Sequence, residues 1–303
     1  MPPSREQELA VLRAVTYAAL FDYPLTLAQL CESLPGMAAD EATIAAWWRQ
    51  GALLQSAIER RDGLFFPAGR ADLIDTRKQR EAISHAMLQR DRPLFALVSR
   101  MPFVQMVALS GSLAHLNAER SADVDLFVIT RANRVWLVTG AVLLISKALG
   151  WRRRLCLNYV VSERQLAIVP SDLFTANQII HLRPLFGATV YKRFLDANPF
   201  VSRWYPNFQS RDQGSGIRDQ ATGLLERVLS VGFAQVGERV CRAVYRWHLR
   251  RRAASWQSSD QVRLEDECLK LHTSSHRLET MARFEAAMAD ALAAASARWP
   301  IAR

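Results

Sequence analysis

Leu109-Ser110-Gly111-Ser112 and, after ten intervening residues, Asp123-Val124-Asp125-Leu126 are the stretches on which the reading of this chain turns. The apolar, β-branched runs Phe103 to Leu109 (FVQMVAL) and Val124 to Ile129 (VDLFVI) have strand length. The first delivers a Gly-Ser turn that opens a short helix, predicted over Leu113 to Ala118. The second carries two aspartates two positions apart. Side chains alternate along a strand, so Asp123 and Asp125 project to one face, a few ångströms from each other. Two carboxylates so placed want a cation between them, and magnesium suits all-oxygen sites completed by substrate phosphates. Gly111 lets backbone approach a phosphate closely, while Ser112 and the N–H groups of the following helix receive its oxygens. Alone, Gly-Ser is a turn and Asp-x-Asp a solvated strand end; at this spacing between two strands they describe a phosphoryl-transfer site. His115, three residues after Ser112, is read as an exposed helix residue in preference to a phosphate contact.

Outward from this segment, Asn133 to Leu149 reads as a helix, Leu155 to Val161 (LCLNYVV) as a strand and Gln165 to Val169 as a further short strand. Strands alternating with helices indicate an α/β layer. From Asp172 the pattern turns helical, through Leu173 to Leu185 and Thr189 to Ala197. At the N-terminus, residues 5 to 21 form a helix, Thr26 and Gln29 a capping box for a second, and Asp40 the N-cap of a third that Gly51 stops. Two β-like runs follow, Leu53 to Ile58 and Leu64 to Pro67, joined by Arg60-Arg61-Asp62-Gly63 with its hairpin-forming Asp-Gly pair. Three helices and a hairpin predict a winged helix. Arg211 to Gly216 reads as a linker, and Asp219 to Arg252 and Val262 to Ala297 as largely helical. The expected fold is therefore α+β. A winged-helix domain spans 1–68, a helical connector 69–100, a central mixed sheet with flanking helices 101–207, and a helical C-terminal region 208–303.

Gly111-Ser112 followed by Asp123-Val124-Asp125 resembles the nucleotidyltransferase superfamily that includes DNA polymerase β, in order, spacing and flanking strands. More loosely, the chain is similar to bacterial and archaeal nucleotidyltransferase-domain proteins that carry an N-terminal winged helix and no assigned substrate. That similarity rests on Leu155 to Tyr159, Asp172 to Ala176, Pro184 to Gly187, Asn198 and Tyr205-Pro206-Asn207. The motif-level likeness covers residues 104 to 207. The resemblance implies a nucleotidyltransferase-type sheet and a magnesium-dependent transfer of a nucleoside monophosphate from a nucleoside triphosphate to an acceptor hydroxyl. Two metal ions are expected on Asp123 and Asp125, with Gly111 and Ser112 holding the β- and γ-phosphates. Members of the superfamily usually carry a third carboxylate on a later strand. Here that strand offers Asn158, whose amide adds no charge and takes no proton near pH 7. The catalytic set implied is Asp123, Asp125 and Asn158, with Glu163, Glu119 and Asp172 as possible replacements for the missing carboxylate. A catalytically impaired nucleotide-binding adaptor or regulator is the alternative.

Composition narrows the partners. The chain has 303 residues, a net charge of +10 and a pI near 10.0, with 39 basic residues of which only Lys78, Lys147, Lys192 and Lys270 are lysines. An anionic partner is favoured in general terms. Nucleic acid is possible but not favoured. The third helix offers only Arg49 against Asp40 and Glu41, although Arg60 and Arg61 on the hairpin keep a DNA-binding version alive. Arg152 to Arg154 and Arg250 to Arg252 read as helix-end cations first. Cys31, Cys156, Cys241 and Cys268 show no zinc or disulfide spacing, which fits a reducing cytoplasm. No signal peptide is visible, and the longest uncharged apolar stretch, Val135 to Ser146, falls short of the roughly 20 residues a membrane span needs. No hydrolase triad motif is present.

Overall fold

The structure, a computed structural model, describes residues 2–209, 233–251, 262–271 and 277–298. Its first helices begin where local side chains satisfy their free N–H groups. Ser4 and Gln7 form a reciprocal capping box for α1 (Arg5–Ala19), and Thr26 and Gln29 do the same for α2 (Leu27–Glu32), just after the short strand β1 (Leu25–Thr26). Asp40 accepts the Thr43 N–H at 2.8 Å to start α3 (Glu41–Gln50). The stretch expected to be strand from Leu53 instead forms α4 (Ala52–Ala57), and β2 (Ile58–Arg61) begins only at Ile58. Leu53, Leu54 and Ala57 lie on one buried helical face, and the Glu8 carboxylate accepts the Leu53 N–H at 2.9 Å at the new N-terminus. Gly51 is needed for that contact, since a Cβ there would stand 2.6 Å from Glu8 Oε1. Asp62 and Gly63, both at positive φ, turn β2 into β3 (Leu64–Pro67), completing an antiparallel sheet of order β1-β3-β2.

Two helices, α5 (Asp72–Arg90) and α6 (Arg92–Ser99), lead to the larger sheet. Between them the buried Asp91 is held by Arg90 and by Arg154 at 3.0 Å, which accounts for one member of the first arginine run. The sheet elements are β4 (Val104–Ser110), β5 (Val124–Thr130), β6 (Leu155–Ser162) and β7 (Arg183–Phe186). Interspersed are α7 (Gly111–Ala114), α8 (Val135–Ala148), α9 (Leu173–Ile180), α10 (Ala188–Asp196), α11 (Phe200–Trp204) and α12 (Phe233–Arg251). The hairpin β8 (Val262–Leu264) and β9 (Cys268–Leu271) and the long helix α13 (Arg277–Arg298) complete the described chain. The strand order is β7-β4-β5-β6-β9-β8, with β5 and β6 parallel across the α8 crossover and the other neighbours antiparallel. The protein is thus α+β, with a mixed sheet and a C-terminal part rich in helix. The two faces of the sheet follow strand alternation. Val107, Leu109, Leu126 and Val128 pack toward α8 and Trp136, while Met106, Ala108, Phe127 and Ile129 pack toward Phe194 and Tyr191.

Several boundaries differ from the sequence reading. Gln165 to Val169 is not a strand, because the Asn198 side chain occupies its backbone, accepting the Ile168 N–H at 2.8 Å and donating to the Leu166 carbonyl at 2.9 Å. The helix expected to reach Leu185 ends at Ile180, and Arg183 to Phe186 becomes the edge strand, where Pro184 is tolerated. The short helix after the Gly-Ser turn stops at Ala114. Residues 262–271, expected to be helical, extend the sheet beyond β6. The expected linker at 211–216 and the first part of the helix from Asp219 lie outside the described residues. Glu238 on α12 reaches across to accept the Trp136 and Leu137 N–H groups at 3.1 and 2.7 Å, capping α8. No described helix is long and apolar enough to cross a membrane. Finally, α13 lies against α1 and α4 and adds Ala295, Met288 and Leu292 to the N-terminal core, so the first and last described helices are packed together.

Candidate active site

At the end of β4, Ser110 stands in register with Asp125 of β5, so the Gly-Ser turn leaves the sheet directly beside the second aspartate. Gly111 adopts φ +63°, and a Cβ added to it would meet Asp125 Oδ2 at 2.3 Å. Both the backbone conformation and the close approach require glycine here. Asp123 is exposed just ahead of β5 and Asp125 is half-buried within it. Their carboxylates and the Cys156 thiol lie within 4.8 Å of one another. The structure therefore brings together Gly111, Ser112, Asp123 and Asp125, four of the five residues singled out in the sequence.

The fifth position differs. Cys156 is the β6 residue in register with Asp125, and the next in-register pair is Phe127 with Tyr159. Leu157 and Asn158 thus face the single residue Leu126, a bulge in β6. The side chain of Asn158 lies outside the described residues. The thiol at the third position is what sequence reasoning passed over. Its signal was present in Leu-Cys-Leu-Asn, where strand alternation gives Cys156 the same claim to the site as Asn158. Burial, reinforced by Asp125 and Asp123 and opposed by Arg152, pushes the Cys156 thiol up to about 12. The replacement carboxylates have other partners. Glu119 pairs with Arg80 at 2.8 Å, and Glu163 Oε1 accepts the Ala132 N–H at 3.4 Å beyond the far end of the strand pair. Asp172 caps α9 through the Thr175 N–H and pairs with Arg277. Burial alone would raise the Asp172 carboxyl, but the Thr175 amide and Arg277 together hold it below its ordinary value.

Two carboxylates on one strand face suit a hard divalent cation completed by water and phosphate oxygens, whereas a thiol is a soft ligand that magnesium does not favour. Asp123 and Asp125 are donors of the kind a hard divalent cation takes, and the Cys156 thiol beside them is not.

His115 corrects the expectation of an exposed helix residue. It follows α7, is half-buried, and stacks on His181 with ring centroids 4.0 Å apart. Burial and the neighbouring His181 hold it well below the usual histidine range, so it is neutral at pH 7. Behind the Gly-Ser turn, Gly111, Ser112 and His115 border a cavity of about 150 Å³ that reaches α1, α9 and α13. Comparison with protein-family models, with curated proteins and with solved structures finds no match.

Proposed function

We propose that this chain is a nucleotidyltransferase that moves a nucleoside monophosphate from a nucleoside triphosphate to an acceptor hydroxyl. The central sheet would be of the nucleotidyltransferase type and the N-terminal helices and hairpin a winged helix. The observation that carries the reading is the Gly111 turn held against Asp125, with Asp123 on the same side of the site. Asp123 and Asp125 would hold magnesium, which when bound neutralises phosphate charge and aligns the acceptor oxygen with the phosphorus. The Ser112 hydroxyl and the backbone of the turn would position the terminal phosphates. Asp125, braced by Gly111 and its β4 and β6 neighbours, is the fixed member of the pair, and exposed Asp123 is the adaptable one.

A second reading, nucleotide binding without turnover, is favoured by one observation: the position beside Asp125 holds a thiol in place of a third carboxylate. The hairpin does little for a DNA-binding version. Arg61 lies 3.8 Å from Glu59, Arg60 stacks over Phe65, and Lys78 pairs with Asp62. We therefore read the N-terminal part as a structural or protein-binding module. The test is pyrophosphate release from each of the four triphosphates with magnesium and a panel of nucleosides, sugars, amino alcohols and short RNA. Release by the parent and not by Asp123→Asn supports transfer. Magnesium-dependent nucleotide binding without release moves the protein to the second reading. Neither release nor binding overturns both.

A further inference from the structure

The cavity behind the Gly111-Ser112 turn is lined largely by aromatic rings and apolar side chains. Its rings fall into two groups. Tyr17 meets Phe21 and Phe284 at centroid distances of 5.7 and 5.4 Å, and Tyr23 meets His115 edge-on at 6.0 Å. His115 stacks in turn on His181, which completes the second group. Among the described residues no aspartate or glutamate lines the space, and the one arginine that does, Arg13, is exposed on α1. A cationic ligand would find no countercharge inside.

Two residues of this lining, Tyr17 and Asn117, are 6% and 8% exposed, and each carries a buried polar atom, Tyr17 Oη and Asn117 Oδ1, that has no hydrogen-bond partner among the described residues. The amide nitrogen of Asn117 donates to the Phe21 carbonyl at 2.8 Å, which fixes the orientation of the side chain and leaves its oxygen as a pure acceptor. Buried polar groups are ordinarily paired, so two unpaired atoms on residues that border one cavity are an argument for a polar partner brought by a ligand. An acceptor oxygen calls for an N–H or O–H on that ligand, and the tyrosine hydroxyl accommodates either role. Engineered cavities of about 150 Å³ admit benzene, so a single aromatic molecule fits.

We propose that this cavity binds a small uncharged aromatic molecule carrying an N–H or O–H donor, held between the N-terminal helices and the Gly-Ser turn. The site uses neither Asp123 nor Asp125 and is occupied without metal or nucleotide. It shares the Gly111-Ser112 turn with the transfer site proposed above, but because it is tested in EDTA without nucleotide the two readings fail independently.

The experiment is calorimetry on the full chain in EDTA with two matched probe pairs, indole against N-methylindole and phenol against anisole, with tetramethylammonium as a cation probe. Indole and phenol are expected to bind about tenfold more tightly than their methylated partners, the loss of one hydrogen bond to a buried acceptor. Tyr17→Phe, which removes one oxygen and no hydrogen bond, is expected to keep the thermal midpoint at or above that of the parent. It should weaken binding of the donor-bearing probes several-fold and leave N-methylindole unchanged. Absence of binding by all probes, as for a cavity that only holds water, overturns the proposal. So does equal binding within each pair that Tyr17→Phe does not alter, or preferential binding of tetramethylammonium.

Discussion

Replacing Gly111 with alanine separates two costs that the structure superposes at one position. Gly150, at φ +72° just after α8, supplies the reference, since a Cβ there would have no atom within 4 Å. Gly150→Ala therefore carries only the strain of a left-handed alanine, about 1–2 kcal/mol. Gly111 has a similar φ, +63°, but its added Cβ falls 2.3 Å from Asp125 Oδ2 and 3.2 Å from its Cγ. The carboxylate must leave its rotamer or the turn must move, and overpacking of this kind costs about 1–3 kcal/mol more. Urea denaturation of the two variants should thus give a loss of roughly 2–5 kcal/mol for Gly111→Ala against 1–2 for Gly150→Ala. Repeating Gly111→Ala in an Asp125→Ala background removes the colliding atoms beyond Cβ, so the excess should vanish and the cost fall to the strain alone. Equal costs for the two glycines, or an excess unchanged by Asp125→Ala, would refute the claim that the turn is seated on Asp125.

The remaining predictions follow from the same contacts. Asp123 is exposed, so Asp123→Asn should leave the urea midpoint within about 0.5 kcal/mol of the parent in stability while abolishing magnesium-dependent nucleotide binding in calorimetry. Cys156→Asp places a carboxylate beside Asp123 and Asp125 and should tighten magnesium binding by about tenfold or more, read from competition with a metal indicator; no gain would mean that Cys156 does not face the cation. Glu238 is buried, and burial raises its carboxyl against the pull of the Leu137 and Trp136 N–H groups. The folded state therefore binds its proton more tightly than the unfolded chain, and the stability this contributes is present in acid and lost as pH rises from the ordinary carboxylate value through the raised one. Glu238→Gln should flatten that segment of the stability-against-pH curve relative to the parent.

The site was legible in the sequence wherever one strand and its turn carry it. The Gly111 turn, the Asp123 and Asp125 pair and the strands on either side are local patterns whose period leaves few choices. What escaped depends on contacts distant in sequence. Leu53 to Ala57 has an apolar composition that serves strand or helix, and Glu8, 45 residues away, decides for helix by accepting the Leu53 N–H. The segment up to Leu185 reads as helix, and only the sheet shows Arg183 to Phe186 to be an edge strand, where Pro184 is tolerated. Val262 to Leu271 reveals itself as a hairpin only beside β6. Cys156 was displaced from attention by Asn158, and the bulge that settles the register is a property of two strands together. The cavity combines α1, the Gly-Ser turn, α9 and α13, which share no sequence pattern.

The most direct test of the central claim is calorimetric titration of the purified chain with non-hydrolysable analogues of ATP, GTP, CTP and UTP, in magnesium and then in EDTA, for the parent and for Asp123→Asn. Binding that needs magnesium and disappears in Asp123→Asn is the predicted result. No binding of any analogue, or binding unaffected by EDTA and by Asp123→Asn, would contradict the assignment of Gly111, Ser112, Asp123 and Asp125 to a metal–nucleotide site.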